Sequence, residues 1–537
     1  YILRGKIERR KSGCEIVQAK IYTINEYYEK VGKRFPIYPL TTGLTNSFLI
    51  KIVKCILENM DKPNDYISAD MRRRQNLISY EKALKGIHFP ESDKQYKEAR
   101  ERMVFDEFFR YTIVFHLLKE QEKRKSHFTF TMKPELAEFR KHLPFEMTSS
   151  QKRVYEEVVS DLCGKTVMNR LIQGDVGSGK TIIAVMVLLL AAKNDTQGAF
   201  MVPTEVLAAQ HFHSLRTYLE PYGVRIGLLT GSQTAKEKRT THQMIRDGSL
   251  DIVVGTHAVI QDKVVFHNLS VVITDEQHRF GVKQRDHLYG KGREPHVLAM
   301  SATPIPRTLA LMMYGDMDLS VIDCLPEGRL PIKNCVVGKE YRRTAYHFIQ
   351  SEVKKGHQAY IICPMVDESD TMELASVTVY AQELKDVFRG EVRIGSLHGK
   401  MKGSEKNRIM NDFAAGIIDV LVSTTVIEVG IDVKNATVIL IENAERFGLA
   451  GLHQLRGRVG RGKEQSYCIL MTETEEEEAK SRLNILAHSN DGFVIASEDL
   501  KLRGQGDLLG VRQSGETLFK IADIFEDAEI LKRHMKK

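Results

Sequence analysis

Long apolar runs are absent from this sequence. No stretch approaches the roughly 18 residues that would suggest a membrane-spanning helix, so no membrane partner is expected. Cysteine is sparse and unpatterned: the seven, at positions 14, 55, 163, 324, 335, 363 and 468, include no C-x-x-C pair. That argues against a structural zinc or a disulfide framework and for a reducing compartment. An initial methionine is also lacking; the chain opens on Tyr1, so an upstream targeting segment is left open. What is present is ordinary globular composition, 42% hydrophobic and 28% charged, in 537 residues. That length has room for several domains of roughly 100–200 residues each. The net charge of +8 suits a polyanionic partner, and equally a generic solvated surface.

One stretch organises the rest: Gly174-Asp175-Val176-Gly177-Ser178-Gly179-Lys180-Thr181. An apolar run, Val167 to Ile172, leads into it, and Ile182 to Ala192 reads as a long apolar helix. This context separates a phosphate-binding loop from a chance glycine cluster. The glycines let the backbone curl so that successive N–H groups point inward at a phosphate, and the following helix adds its positive end. Lys180 is expected to reach the β- and γ-phosphates and Thr181 to ligand Mg²⁺, so the chain is read as binding ATP.

The organisation around that loop falls into five stretches. Residues 1–40 are short and β-like, too short to bury a core, and read as the remainder of a small β domain. Residues 41–144 read as a helical linker, with Arg102 to Leu118 an amphipathic helix. From 145 strands and helices alternate. Strands are expected at 167–172, 199–202, 251–254, 270–274 and 296–300, then at 359–363, 392–397, 420–423, 437–441 and 466–471. Pro326, Gly328 and Pro331 mark the join between two α/β domains, 145–325 and 326–472, each with a parallel sheet. Only the first carries a phosphate loop, an arrangement that suggests a motor with ATP in the cleft. The last stretch, 473–537, reads as two helices, Glu475 to Leu486 and Gly492 to Leu500, before a loop broken by Gly504, Gly506 and Gly510.

Three further sites carry chemistry. Asp275-Glu276-Gln277-His278 follows the apolar run Val271-Val272-Ile273, and a carboxylate at the end of a parallel strand lies in the ligand crevice. Asp275 would hold Mg²⁺ through its water shell, while Glu276 would orient and deprotonate the attacking water. Gln454-Leu455-Arg456-Gly457-Arg458-Val459-Gly460-Arg461 places arginines that are costly to bury without anions. Arg458 and Arg461 are the candidates to neutralise charge on the transferring phosphoryl group. Gln151, before the first α/β domain, could read adenine through a bidentate amide contact.

In order and spacing these residues resemble the motifs of superfamily 2 helicases. Motif I is the phosphate loop, and motif Ia resembles Val202 to Gln210, with Pro203 and Thr204. Gly255-Thr256-His257 is similar to motif Ib or Ic, Asp275 to His278 to motif II and Ser301-Ala302-Thr303 to motif III. Ser423 to Asp432, which includes Thr424, resembles motif V, and Gln454 to Arg461 motif VI. A closer resemblance is to the RecG family of branch-migration helicases, carried by DEQHRFG at 275–281, SATPIPR at 301–307, Arg446 to Arg461 and DLKLRGQGDLLGVRQSG at 499–515.

The resemblance implies two tandem RecA-like motor domains, the end of an oligonucleotide-binding (OB-type) wedge domain at 1–40, and a helical hairpin with a translocation loop at 473–537. It implies nucleotide contacts by the phosphate loop and Asp432, a catalytic place for Gln454, and backbone contacts to DNA by Pro203, Thr204, Thr256 and Thr424. Arg482, Arg503 and Gln513 match the positions that couple motor to duplex. The implied partners are branched DNA (forks and Holliday junctions), the duplex backbone and a single-stranded DNA-binding protein, met by a monomer in the bacterial cytoplasm or an organelle. Two rivals stay open. One is a transcription–repair coupling translocase, whose motif II usually lacks a histidine such as His278; the other is a junction-binding scaffold with an inactive motor.

Overall fold

A computed structural model describes residues 1–10, 13–25, 27, 34–122, 124–276, 290–303, 310, 317–326, 328–364, 370–399, 401–424, 433–503, 519–524 and 526–535. The chain divides into two compact units, one of residues 1–117 with 505–537 and the other of 118–504. Strands are numbered β1 to β15 in chain order.

In the first unit, β1 (Ile2–Arg10) and β2 (Gly13–Tyr22) form an antiparallel hairpin, its register shifting between Arg4 and Lys6. Three helices follow, Asn46–Asn59, Ala69–Gln75 and Tyr80–His88, each entered through a Thr or Ser side chain that caps its first turn. The helix Asp93–Glu122 is longer than the expected 102–118, and its apolar residues Val114 and Leu117 are exposed. Its buried face carries a charge: the fully buried Arg102 guanidinium donates to Asp65 (2.7 Å), Asp106 (2.8 Å) and the Ile78 carbonyl (2.7 Å). Burial opposes an ionised Asp65, yet Arg102 and two backbone N–H groups hold its pKa down to about 2. The C-terminal segment returns to this helix. Arg100 grips Asp527 with two nitrogens (2.5 and 2.9 Å), and Glu107 accepts the backbone N–H groups of Lys520, Ile521 and Ala522.

The second unit holds two parallel sheets. The first has seven strands in the order β5-β6-β4-β7-β8-β3-β9. They are β3 (Asn169–Gly174), β4 (Gln197–Met201), β5 (Ile226–Leu229), β6 (Ile252–Gly255), β7 (Leu269–Thr274), β8 (His296–Ser301) and β9 (Asp318–Ile322). The central strands are buried on both faces, which is why they read as unbroken apolar runs. The helix Lys180–Lys193 is buried from Ile182 to Ala191 all the way round, so it shows no polar stripe. The second sheet has six strands, β10-β15-β14-β11-β13-β12. These are β10 (Lys333–Gly338), β11 (Gln358–Ile362), β12 (Ile394–Leu397), β13 (Val420–Ser423), β14 (Ala436–Ile441) and β15 (Tyr467–Thr472). The expected strands are all found within a few residues. Three were not expected, β5, β9 and β10, and each is an edge strand.

The two sheets share internal scaffolding. Gln197 and Gln358 open β4 and β11, and each buried amide donates to two carbonyls, of Ile245 and Leu250 in one sheet and of Phe413 and Ile418 in the other. Arg225 clamps Asp251 and the Gly248 carbonyl; Arg393 clamps Asp419 and the Gly416 carbonyl, the shorter guanidinium–carboxylate contact being 2.6 Å in both. The segment 473–537, expected as one unit, is divided. Helices Glu477–His488 and Gly492–Arg503 lie in the second unit and pack on the helix Leu449–Arg456, while 519–535 belongs to the first.

Candidate nucleotide site

The first sheet brings β7, β8 and β3 side by side, so the segments that leave their carboxyl ends meet on one edge. After β3 the chain curls through Gly177 (φ +75°) and Gly179 (φ +83°) into the helix that starts at Lys180. A side chain at either glycine would be strained by the left-handed backbone and would displace a neighbour: a Cβ at 177 would lie 2.1 Å from the Arg329 guanidinium, and one at 179 would lie 2.2 Å from the Gln151 amide. Lys180 is buried, and its ammonium donates to the carbonyls of Gly174 (2.7 Å) and Asp175 (2.9 Å). Burial lowers its pKa, against the pull of Glu276, Asp275 and Asp175. The Ser178 hydroxyl is buried without a hydrogen-bond partner. A curled loop at a helix N-terminus, a lysine beside it and an unsatisfied hydroxyl inside it fit a phosphate group.

Asp275 and Glu276 follow β7. The Asp275 carboxylate accepts the Glu276 N–H (3.0 Å) and lies 3.4 Å from His211 Nε2. Burial would raise its pKa, but His211 and Lys180 outweigh that and the net direction is down. Glu276 moves the other way, raised by burial and by Asp275, the direction a general base needs. Its backbone is left-handed (φ +53°), and its carboxylate accepts the Ala302 N–H (3.3 Å) from the segment after β8. Among the described residues no group of three or more His, Cys, Asp or Glu side chains could hold a metal. The donor set fits a Mg²⁺ shared among Thr181, Asp275 and phosphate oxygens, the usual way this ion is held.

The second sheet supplies the facing side. Arg458 is among the cations acting on Glu276, and Arg461 among those acting on Lys180, so both reach the same cleft. Arg461 also donates to the Gly457 carbonyl (2.9 Å), and Gln454 is buried in the helix Leu449–Arg456. Close approach is possible because residue 457 is glycine; a Cβ there would come 2.8 Å from the Val176 side chain. Two residues not singled out from sequence join the loop directly. His453 Nε2 lies 2.5 Å from Asp175 Oδ1, and Arg329 bridges the carbonyls of Val176 (2.9 Å) and Gly460 (2.6 Å).

Other expected site residues are placed differently. The Gln151 amide is committed to protein: Oε1 accepts the Thr148 N–H (2.9 Å) in a capping box, and Nε2 donates to the Ser178 carbonyl (2.8 Å). It therefore props the phosphate loop, with one N–H and one lone pair of the amide engaged by protein. Pro203 and Thr204 follow β4, with Thr204 capping the helix Glu205–Leu219. Thr256 and Thr424, which the resemblance sets against the DNA backbone, are buried just after β6 and β13. The Arg482 guanidinium donates to the Glu445 carbonyl. Asp432, Gln513 and the Arg503 side chain lie outside the described residues.

Residues 148–312 match the DEAD/DEAH box helicase family, and 341–463 match the helicase conserved C-terminal domain. Residues 489–536 match the family described as ATP-dependent DNA helicase RecG, domain 3, C-terminal. Over 534 residues the chain is 46% identical to the ATP-dependent DNA helicase RecG of Synechocystis sp., covering 98% of this chain and 64% of that protein. Over 499 residues it is 44% identical to that of Bacillus subtilis, covering 92% of this chain and 73% of the relative. A solved structure of RecG bound to a three-way DNA junction is 38% identical, with a TM-score of 0.70 over 99% of this chain and 70% of that one. The chain thus spans just under two thirds of the Synechocystis relative.

Proposed function

The chain belongs to the RecG family of ATP-dependent DNA helicases, and from that premise we propose that it is an ATP-driven motor that remodels branched DNA by branch migration and fork regression. One observation carries the reading: the phosphate loop, the Asp275–Glu276 pair and Arg458 and Arg461 converge from two RecA-like sheets. Bound ATP and Mg²⁺ would supply the phosphoanhydride and the Lewis acid that spreads its charge. The chain's own residues do the rest. Lys180 and the loop N–H groups hold the phosphates, and Thr181 and Asp275 hold the metal. Glu276 takes a proton from the attacking water. Arg458 and Arg461, with Gln454 beside them, neutralise charge across the cleft, an effect worth about 10³–10⁵ in rate in related chemistry.

DNA is gripped by its backbone rather than its bases. Pro203 and Thr204 sit at a helix N-terminus, where backbone N–H groups suit phosphates. Affinity then falls steeply with salt and depends little on sequence. The hairpin β1–β2 is the end of an OB-type wedge, and Arg482, Arg503 and Gln513 couple the motor to the duplex. The motor works as a monomer in a bacterial cytoplasm, with a single-stranded DNA-binding protein as a further partner. A fork with fluorescent arms tests the whole: wild type should regress it with ATP and Mg²⁺, and Glu276→Gln should bind ATP without moving it. Regression by Glu276→Gln at the wild-type rate would overturn the reading.

A further inference from the structure

We propose that Asp175, His453 and Arg456 form a latch between the phosphate loop and the turn of the helical hairpin, and that His453 is its positioning residue. The inference rests on the reading of the chain as a nucleotide-driven motor and names the first link through which nucleotide reaches the hairpin.

Asp175 is held at both ends. Its backbone carbonyl accepts Lys180 Nζ (2.9 Å), and its carboxylate accepts two groups from the other half of the unit, His453 Nε2 (2.5 Å) and the Gly492 N–H (3.2 Å). Gly492 is the first residue of the second hairpin helix. His453 in turn contacts Arg456, with Nδ1 2.8 Å from Nη2. Arginine has no acceptor, so Nδ1 must accept, and the proton of the neutral ring sits on Nε2, donated to Asp175. Arg456 is 2% exposed. Its guanidinium donates to the carbonyls of Leu486 (3.0 Å), Ser489 (2.7 Å) and Asn490 (3.2 Å). These lie in the last turn of the first hairpin helix and just beyond it, where carbonyls lack helical partners and favour a cation. The result is a buried carboxylate–imidazole–guanidinium chain whose two charges are bridged rather than isolated.

The linkage follows from Asp175 serving both neighbours. When Lys180 turns toward a phosphate it leaves the carbonyls of Gly174 and Asp175, and the residue that loses this hold is the one gripping His453 and Gly492. The latch has two discrete arrangements, bonded and released, which coupling between sites requires. Arg329 and the Val176–Gly457 contact flank it, so the loop cannot shift without disturbing motif VI.

Hydrogen exchange on the full chain tests this without needing turnover. ADP–beryllium fluoride should protect the amides of 174–181 and speed exchange at Gly492 by about 10-fold, the scale of one lost bond to a charged acceptor. In His453→Ala, Gly492 should exchange fast with or without the nucleotide while protection of 174–181 persists; His453→Gln, which keeps a donor toward Asp175, should restore part of the response. An unchanged or slower Gly492 amide in wild type, or a wild-type response in His453→Ala, overturns the latch. Absence of protection at 174–181 in wild type overturns the motor reading instead. If His453→Ala does not fold, the same comparison between wild type and His453→Gln decides.

Discussion

The two parallel sheets are built on one plan and diverge at a single edge. Away from the cleft they share a buried glutamine that ties a strand to a neighbouring turn, and an arginine that clamps an aspartate and a glycine carbonyl. At the carboxyl edge, the first sheet offers glycines, a lysine and two carboxylates, whereas the second offers arginines. Scaffolding that recurs contributes to stability in both places; groups that occur once carry the asymmetry a nucleotide needs, anion-binding on one wall and charge-neutralising on the other. Replacing a shared residue should therefore have the same effect in both sheets, and replacing an edge residue should not.

The largest effect is expected where the sheets differ. Arg461→Ala should lower ATP turnover by about 10³-fold or more while leaving ATP binding intact, whereas Lys180→Ala should lose turnover and binding together. Steady-state kinetics beside nucleotide titration separates the two.

Next comes a group confined to the first sheet. Buried His296 has its pKa lowered to about 4, and its Nδ1 accepts the Met168 N–H (3.0 Å). The unfolded chain takes up a proton near pH 6.5 that the folded chain refuses until about 4, so stability is complete above 6.5 and falls as pH drops through that window. The loss amounts to about 3 kcal/mol at most. Exchange of β8 amides at pH 7 and pH 4.5 checks it; His296→Asn should flatten the dependence, and the second sheet should not share it.

A smaller, matched pair is Gln197→Ala and Gln358→Ala, each removing the amide donor to two carbonyls, one of which keeps a backbone N–H (Gly248 to Ile245, Gly416 to Phe413), and costing about 1–2 kcal/mol. Denaturant unfolding of both variants should give similar losses; a large disparity would break the shared plan. Smallest are Arg225→Ala and Arg393→Ala. Their side chains are more than half exposed, so solvent screening keeps both losses below those of the glutamine variants despite the good geometry.

Legibility in the sequence followed the same division. Strands buried on both faces announced themselves as apolar runs, and the phosphate loop as a spacing of glycines before Lys180. Three of the four edge strands did not: β9 alternates partly buried with buried residues after an exposed start and β10 mixes exposed with partly buried ones, so no long apolar run forms. Side-chain commitments were also hidden. Gln151 was legible as an amide near the nucleotide, and Thr148 three residues before it has capping-box spacing, but nothing in its neighbours revealed the bond to the Ser178 carbonyl. Arg456 stood among arginines expected to meet anions, and is satisfied by backbone carbonyls that only folding brings to it. His453 and Arg329 gave no signal, because their partner is a loop 278 residues away in one case and 153 in the other.

ATP turnover measured side by side on a three-way fork, a four-way junction, linear duplex and single-stranded DNA of equal length tests the branched-DNA motor most directly. Turnover should be highest on the branched DNAs, in proportion to the rate at which each is remodelled. Equal turnover on all four, or a maximum on single strands, would contradict it.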